Sequence, residues 1–429
     1  MTIVACSTPP GVSGIAVVRI SGQDAMKNVS TFVKNSPFDE KKPLSRICFL
    51  VDKDGEVFDE AVITSYVGPN SYTGENLVEI SCHGNPKIVS RIIDLSVDAG
   101  SRLAEAGEFT KTAFLNGKLD LSEAEAVASI IHSLSLTGVK AGVKNLKGSL
   151  SKEIYSIKSS LISLVANLEF NLDISEEDLQ PNLLKQSGET VLEVAKKLND
   201  CILCFEETKM FQSGASVVIL GPPNAGKSTL FNRLVNKNQS IVTSVEGTTR
   251  DVIEKNINIS GLPILLKDTA GIRDSGDDVE KIGVQRSFVE AKDADLIVVL
   301  NDKKLTFKDI KHIHVFNKAD IKTQDEKYDV SISAKTGDGV EELKETIYNS
   351  LVGNKTQTNT LLISKRQCNA MKNALKHVKD AHLLLLAGDS MELLVEDINR
   401  SIGFLDSITE KTTKDDVLDA VFSSFCVGK

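Results

Sequence analysis

The spacing of apolar positions changes along this chain. Over residues 1–117 it is mostly short. Ile15–Ser21, Ala61–Val67 and Leu77–Cys82 are β-branched, partly alternating runs, which predicts strands. Asp24–Val33 and Pro86–Ala99 have helical spacing, while Thr8–Gly14 and Gly68–Gly74 are dense in turn formers. This pattern predicts a mixed α/β unit. By alternation alone Arg19 and Glu79, charges within apolar strands, are expected to face solvent.

From Leu119 the period lengthens. Leu121–Ala128 reads as a helix start, with Ser122 as its expected N-cap and an acidic first turn. Helical spacing then runs almost to Gly214, broken near Asp173–Pro181. Val191, Ala195, Leu198, Ile202 and Phe205 recur at alternating steps of four and three, a narrow seam suited to helix pairing. Lys140, Lys144 and Lys147 share one helical face, expected to be solvated. Helices resume after Leu351, with a stripe at Leu394, Ile398, Ile402, Leu405 and Ile408. Residues 118–212 and 353–429 are expected to pack as one all-α domain, and residues 213–352, between them, to form a domain of their own.

The 429 residues leave room for two to four domains. No apolar run approaches the ~20 residues of a membrane span. Met1-Thr-Ile-Val-Ala-Cys lacks a basic region followed by a long apolar segment, so a cytoplasmic protein is expected. The seven cysteines make no disulfide framework. Cys201 and Cys204 fall inside an amphipathic helical pattern, where buried small residues are expected. A net charge of −9 argues against a large basic nucleic-acid footprint. RNA contact is left to a local patch or to a partner's surface.

The chemistry lies in residues 213–352. Gly221-Pro-Pro-Asn-Ala-Gly-Lys-Ser228 fits the phosphate-cradling loop, and it follows an apolar strand, Ala215–Leu220, and opens a helix at Thr229–Leu234. Its backbone N–H groups and the helix N-terminus favour an anion. Lys227 would reach the outer phosphates and Ser228 the magnesium ion. Asp268-Thr-Ala-Gly271 ends the strand Ile264–Lys267. Asp268 would hold magnesium through water, and the Gly271 N–H would sense the terminal phosphate. Gly247-Thr-Thr-Arg-Asp251 places Thr249 as the second hydroxyl on magnesium, ordering a switch loop. Asn317-Lys-Ala-Asp320 follows the strand Ile313–Phe316. Asp320 can accept from the two N–H donors that guanine has and adenine lacks, so an adenine base would leave the carboxylate unpaired. Asn317 can bridge to the phosphate loop, the Lys318 stem can cover the base, and Ser333-Ala-Lys335 offers N–H groups to the guanine oxygen. The order and spacing of these stretches point to GTP. The residue after Gly271 is Ile272, which cannot orient a water. The acidic stretch Asp274–Glu280 is the nearest substitute. Arg250, Arg273 or a bound cation is left to neutralise charge.

Taken together, these residues resemble the MnmE (TrmE) family of tRNA-modification GTPases. The resemblance extends to Thr8-Pro-Pro-Gly, Val18-Arg-Ile-Ser-Gly22, Tyr72-Thr-Gly-Glu75, Cys82-His-Gly84, Gly107-Glu-Phe-Thr110, Ala113–Leu121 and the ending Phe425-Cys-Val-Gly-Lys429. It implies a multidomain α/β plus all-α protein: an N-terminal α/β domain that binds a one-carbon tetrahydrofolate and dimerises, a helical domain in two parts, and an inserted Ras-like, doubly wound P-loop GTPase domain. The implied GTP site comprises Asn224, Ala225, Gly226, Lys227, Ser228 and Thr229; Thr243, Ser244, Val245, Glu246, Gly247, Thr248 and Thr249; Asp268, Thr269, Ala270 and Gly271; Asn317, Lys318 and Asp320; and Ser333, Ala334 and Lys335. Asn224, Thr243, Val245 and Thr248 would hold potassium, Ser228 and Thr249 magnesium, and Glu280 would orient the water. Folate would meet Arg19, Glu79, Lys118 and Lys429, with Cys426 in the tail beside them. The implied assembly is a homodimer that joins an FAD-containing MnmG (GidA) partner, as a heterotetramer, to modify carbon 5 of the wobble uridine of certain tRNAs. A GTP-switched assembly or binding factor is the rival reading, since a pure switch needs no folate pocket. Between Asn301 and His312 the chain is short, so one helix of the nucleotide domain is expected to be reduced.

Overall fold

Strand pairing organises the N-terminal third. In the computed structural model, which describes residues 1–35, 38, 42–172, 181–237, 253–268, 292–308, 310–321, 328–353, 361, 363–388, 390–409 and 415–429, the first sheet contains β1 (Ile3–Cys6), β2 (Ser13–Ser21), β3 (Leu44–Val51), β4 (Val57–Tyr66), β5 (Leu77–Gly84) and β6 (Arg102–Leu103), in the order β3-β4-β5-β2-β1-β6. Helices α1 (Ala25–Ser30) and α2 (Pro86–Asp98) cover one face. Helix α2 starts where Asn85 accepts from the Lys87 N–H at 2.9 Å and Pro86, whose missing N–H costs nothing there, takes the first turn. Val18, Ile20, Ile63, Val78, Ile80 and Ile92 fill the core between them. The register pairs Arg19 directly with Glu79, so both charges emerge on one face.

Helix α3 (Glu108–Leu115) follows, then α4 (Leu121–His132), α5 (Leu136–Leu146), α6 (Ser149–Leu172) and α7 (Pro181–Ser213). The cap of α4 is Asp120, not the expected Ser122. Asp120 accepts from the Glu123 N–H at 2.8 Å, and Glu123 accepts from the Asp120 N–H at 2.9 Å, a reciprocal capping box one turn long. Ser122 lies buried inside the helix. The seam of α7 is also rotated. Val191, Val194, Leu198 and Cys201 are the buried set, while Ala195, Ile202 and Phe205 are half-buried. Lys140, Lys144 and Lys147 are exposed.

The second sheet contains β7 (Ala215–Leu220), β8 (Ile253–Ile259), β9 (Leu262–Asp268), β10 (Leu296–Leu300), β11 (His312–Asn317) and β12 (Val330–Ile332), in the order β12-β11-β10-β7-β9-β8. All pairs are parallel except β8 with β9. Helices α8 (Lys227–Lys237) and α9 (Val340–Val352) pack on one face, with Leu230, Leu234, Leu343 and Ile347 against Val217, Val298, Val315 and Ile332. On the other face, described residues 301–308 and 310–311 contain no helix. Leu305, Phe307 and Ile310 lie directly on Val218, Leu220, Ile297 and Val299. Three apolar side chains of a short connection thus do part of what a helix face would do.

The chain ends in α10 (Lys365–Ala387), α11 (Met391–Thr409) and α12 (Asp415–Phe422). Helix α11 packs on α6, where Lys158 is paired with Asp406. Its buried stripe is Leu394, Ile398, Leu405 and Ile408, with Ile402 half-buried. By contact density the chain divides into Met1–Ala128 with Asn145–Leu198 and Asn369–Lys429, and Ser129–Lys144 with Asn199–Cys368. No described helix is long and apolar enough to cross a membrane.

Candidate functional site

Parallel strands bring their C-terminal ends to one edge of the second sheet, where crossover loops meet. The phosphate loop follows β7 there, Asp268 ends β9, Asn317 ends β11, and Ser333-Ala-Lys335 follows β12. Asn224 and Gly226 take positive φ, +58° and +92°, which curls the loop. At Gly226 any Cβ would come within 2.3 Å of the Asn317 amide nitrogen, so only glycine fits. Ala225 is buried, whereas Ser228 and Thr229 are exposed at the start of α8.

Lys227 donates through Nζ to the Gly221 and Pro222 carbonyls, at 2.9 and 3.1 Å. Burial pushes its ammonium below the ordinary lysine value, and the Asp268 carboxylate partly opposes that. Asp268 itself is 1% exposed. A charged lysine held on carbonyls near a buried carboxylate is preformed to meet an anion.

Asn317 closes the base side. It is 2% exposed. Its Nδ2 donates to the Ala225 carbonyl at 2.7 Å, and its Oδ1 accepts from the Ala334 N–H at 3.0 Å. One side chain thus spans the phosphate loop and the Ser-Ala-Lys loop, as its position in the motif predicts. Lys318 takes φ +73° and Asp320 is exposed. Two residues that pattern reasoning missed complete the frame. Asn301 Oδ1 accepts from the Asn317 N–H at 2.7 Å. Arg233, on α8, donates through Nε to the Ala334 carbonyl at 3.1 Å and through Nη2 to the Lys335 carbonyl. Nothing in the spacing marks Arg233, a polar position on an amphipathic helix beside buried Leu234. Thr243, Ser244, Val245, Glu246, Gly247, Thr248, Thr249, Thr269, Ala270, Gly271 and Glu280 lie outside the described residues.

The first sheet holds a second charged site. Arg19 donates to Glu79 Oε1 through Nε (2.9 Å) and Nη2 (2.7 Å). The pair is not simply solvated, as alternation alone suggests. The guanidinium lies 5.4 Å from the Tyr72 ring centroid and 5.6 Å from that of Phe109. Its Nη1 reaches the Gly428 carbonyl at 3.3 Å, and Ser7 Oγ donates to the same oxygen at 3.0 Å. The chain end therefore lies on the N-terminal sheet of its own chain. Val427 bridges Ala106, and Phe425 is 5% exposed in a cluster with Phe114, Leu418 and Phe422. Gly107, at φ +68°, starts α3 under this tail, where a Cβ would lie 2.6 Å from the Phe422 carbonyl. Cys426 is exposed. Burial and Arg19 push the Lys429 ammonium down, and Glu79 opposes them. Lys118 has another partner, the Pro69 carbonyl at 3.0 Å.

A phosphate loop after the central strand, a buried Asp on the neighbouring strand, and an Asn-Lys-x-Asp stretch tied to both recognition loops define a P-loop GTPase. Two family profiles match: "GTP-binding protein TrmE N-terminus" over residues 2–118 and "MnmE helical domain" over residues 121–426. The chain is 40% identical over 446 residues to the tRNA modification GTPase MnmE of Aquifex aeolicus, covering 100% of this chain and 99% of that one. It is 37% identical over 460 residues to the protein of the same name from Thermotoga petrophila, covering 100% of both. Among solved structures, the G domain of the T. maritima FeoB iron transporter is 26% identical, covers 32% of this chain and 98% of that one, and has a TM-score of 0.24. The chain belongs to the MnmE family.

Proposed function

We propose that this GTPase works in the cytoplasm as a tRNA-modification enzyme. With an FAD-dependent MnmG-type partner it adds a carboxymethylaminomethyl-type group to carbon 5 of the wobble uridine of certain tRNAs. The observation that carries this reading is the Arg19–Glu79 pair with the Gly428 carbonyl beside it. A GTP switch acting alone has no use for a second charged site, partly buried, on a separate sheet. A folate fits it. The pterin ring presents donors and acceptors that a paired Glu and Arg complement, and its glutamyl tail presents carboxylates to Lys118 and Lys429. The bound folate would supply the one carbon.

The G domain's part is hydrolysis. Ser228 and Asp268 offer the hard oxygens that magnesium takes. When bound, the ion neutralises charge on the phosphates. Lys227 holds the phosphates, Asp320 selects guanine, and Glu280 orients the water that Ile272 cannot. Asn224, Thr243, Val245 and Thr248 would hold a potassium ion, which would supply the neutralising charge that an arginine gives elsewhere, as two G domains of a homodimer associate. In this reading the domains run 1–117, 118–212 with 353–429, and 213–352. Nucleoside analysis of tRNA from cells lacking the chain is the test. The modified wobble uridine should vanish and return with the wild-type gene. An unchanged nucleoside profile would leave the GTP-switch reading in its place.

A further inference from the structure

Arg233 lies outside every motif of the GTP site, yet its guanidinium holds two successive carbonyls of the loop after β12. Nε reaches Ala334 O at 3.1 Å and Nη2 reaches Lys335 O. The loop is tight on that side: at Gly337, φ +101°, a Cβ would stand 3.3 Å from Arg233 Nη1. The rest of the loop is tied to itself. Ser333 N–H donates to Asp338 O at 2.9 Å, Gly337 N–H to Ser333 O at 2.8 Å, and Thr336 N–H to Ser333 Oγ at 3.2 Å.

The peptide bond makes this fork directional. In a planar trans peptide the C=O and the following N–H point opposite ways. Drawing Ala334 O toward α8 therefore aims the Lys335 N–H away from α8. Ala334 N–H is meanwhile held by Asn317 Oδ1 at 3.0 Å, and Asn317 Nδ2 is held by Ala225 O at 2.7 Å. The contacts close a ring. It runs from Ala225 in the phosphate loop through Asn317 to Ala334, across Arg233 to α8, and back along α8 to Lys227. Arginine suits this place because its planar fork serves two acceptors in fixed geometry, which a lysine ammonium does not.

We infer that Arg233 is a positioning residue for base specificity. It sets the direction of the Lys335 N–H toward the guanine oxygen and ties that direction to the phosphate loop. This rests on the reading of Ser333-Ala-Lys335 as the donor loop for that oxygen. The test compares the full-length protein with Arg233→Met, which keeps the stem and loses the fork, and Arg233→Lys, which keeps one charge. Affinities are measured for the triphosphates of guanosine, of inosine (ring oxygen, no amino group) and of 2-aminopurine riboside (amino group, but neither the ring oxygen nor the N1–H).

In the wild type, guanosine should bind more tightly than the 2-aminopurine analogue. Arg233→Met should shrink that advantage by about 3- to 10-fold, one hydrogen bond's worth, and leave the guanosine-to-inosine ratio alone. Arg233→Lys should fall between. Equal loss for all three nucleotides would make Arg233 a scaffold residue and overturn the inference. So would unchanged ratios. Equal wild-type affinity for guanosine and the 2-aminopurine analogue would instead remove the donor-loop reading beneath it. If Arg233→Met does not fold, the ratios of Arg233→Lys decide alone.

Discussion

Lys227 shows how much a single half-buried charge can report. Its ammonium titrates below the ordinary value of 10.5 because burial disfavours the charged form. The sign for stability follows. In the window just below 10.5 the unfolded chain binds more protons than the folded one, so this lysine makes stability rise with pH there. A bound triphosphate favours the charged form and draws the titration back up. GTP should therefore bind with proton uptake in that window, and its affinity should fall as pH rises through the lowered value. Calorimetry in buffers of different ionisation enthalpy checks this; binding without proton exchange would mean the ammonium does not meet phosphate. Asn224 makes a different claim at the same scale. It is exposed at positive φ in the phosphate loop, where a side-chain oxygen can join a cation to the phosphates. Hydrolysis should run much faster in potassium than in sodium, and Asn224→Ala should erase the difference. Equal wild-type rates in the two salts would be fatal to that role.

At the level of elements, the connection between β10 and β11 covers part of a sheet face. A parallel sheet needs both faces covered, and here one face is covered in part by Leu305, Phe307 and Ile310 from a segment whose described residues form no helix. Phe307 also stacks edge-on against His312, with centroids 5.9 Å apart. Phe307→Ala should cost roughly 1–3 kcal/mol, below the cost at a fully buried phenylalanine because the ring is half-buried. Urea unfolding followed through the nucleotide domain measures it, and a loss within a few tenths would mean the connection is not structural cover. The shortness of this segment was legible in the sequence. That three side chains would settle on the sheet was not, because their positions follow no helical or strand period. The seam of α7 teaches the same lesson. Periodicity located the stripe, but which neighbour lies against it decided that Val194 and Cys201, rather than Ala195 and Ile202, sit at its centre.

At the scale of the whole molecule, the chain end is not a loose tail. A short ending such as Phe425–Lys429 would ordinarily be an exposed extension that contributes little to any core. Instead Phe425 is buried and packs on Phe422 with ring centroids 5.6 Å apart. Phe425→Ala should therefore cost roughly 3–5 kcal/mol of stability. Removing only Gly428–Lys429 takes away the carbonyl on Arg19 and the Lys429 ammonium while leaving that aromatic cluster. This shorter truncation should keep the melting temperature within a few degrees and weaken folate binding at least tenfold, the loss of about one charge-assisted contact. Tight folate binding that ignores the truncation would place the tail outside the site.

What the sequence by itself determined is the nucleotide chemistry and the family. Both are written in contiguous stretches such as Gly221–Ser228 and Asn317–Asp320, whose residues are set beside one another by their own local backbone. What only the tertiary structure decided is which distant residues share a site. Arg19 and Glu79 are 60 positions apart and become cross-strand partners only through the register of β2 and β5. Gly428, 409 positions from Arg19, arrives through the burial of Phe425. Arg233 reaches a loop 101 positions away because α8 packs on the same sheet face that leads into it. Pairing and packing act between segments, so the pattern within any one segment shows what can be paired or buried, and only the folded chain selects the partner.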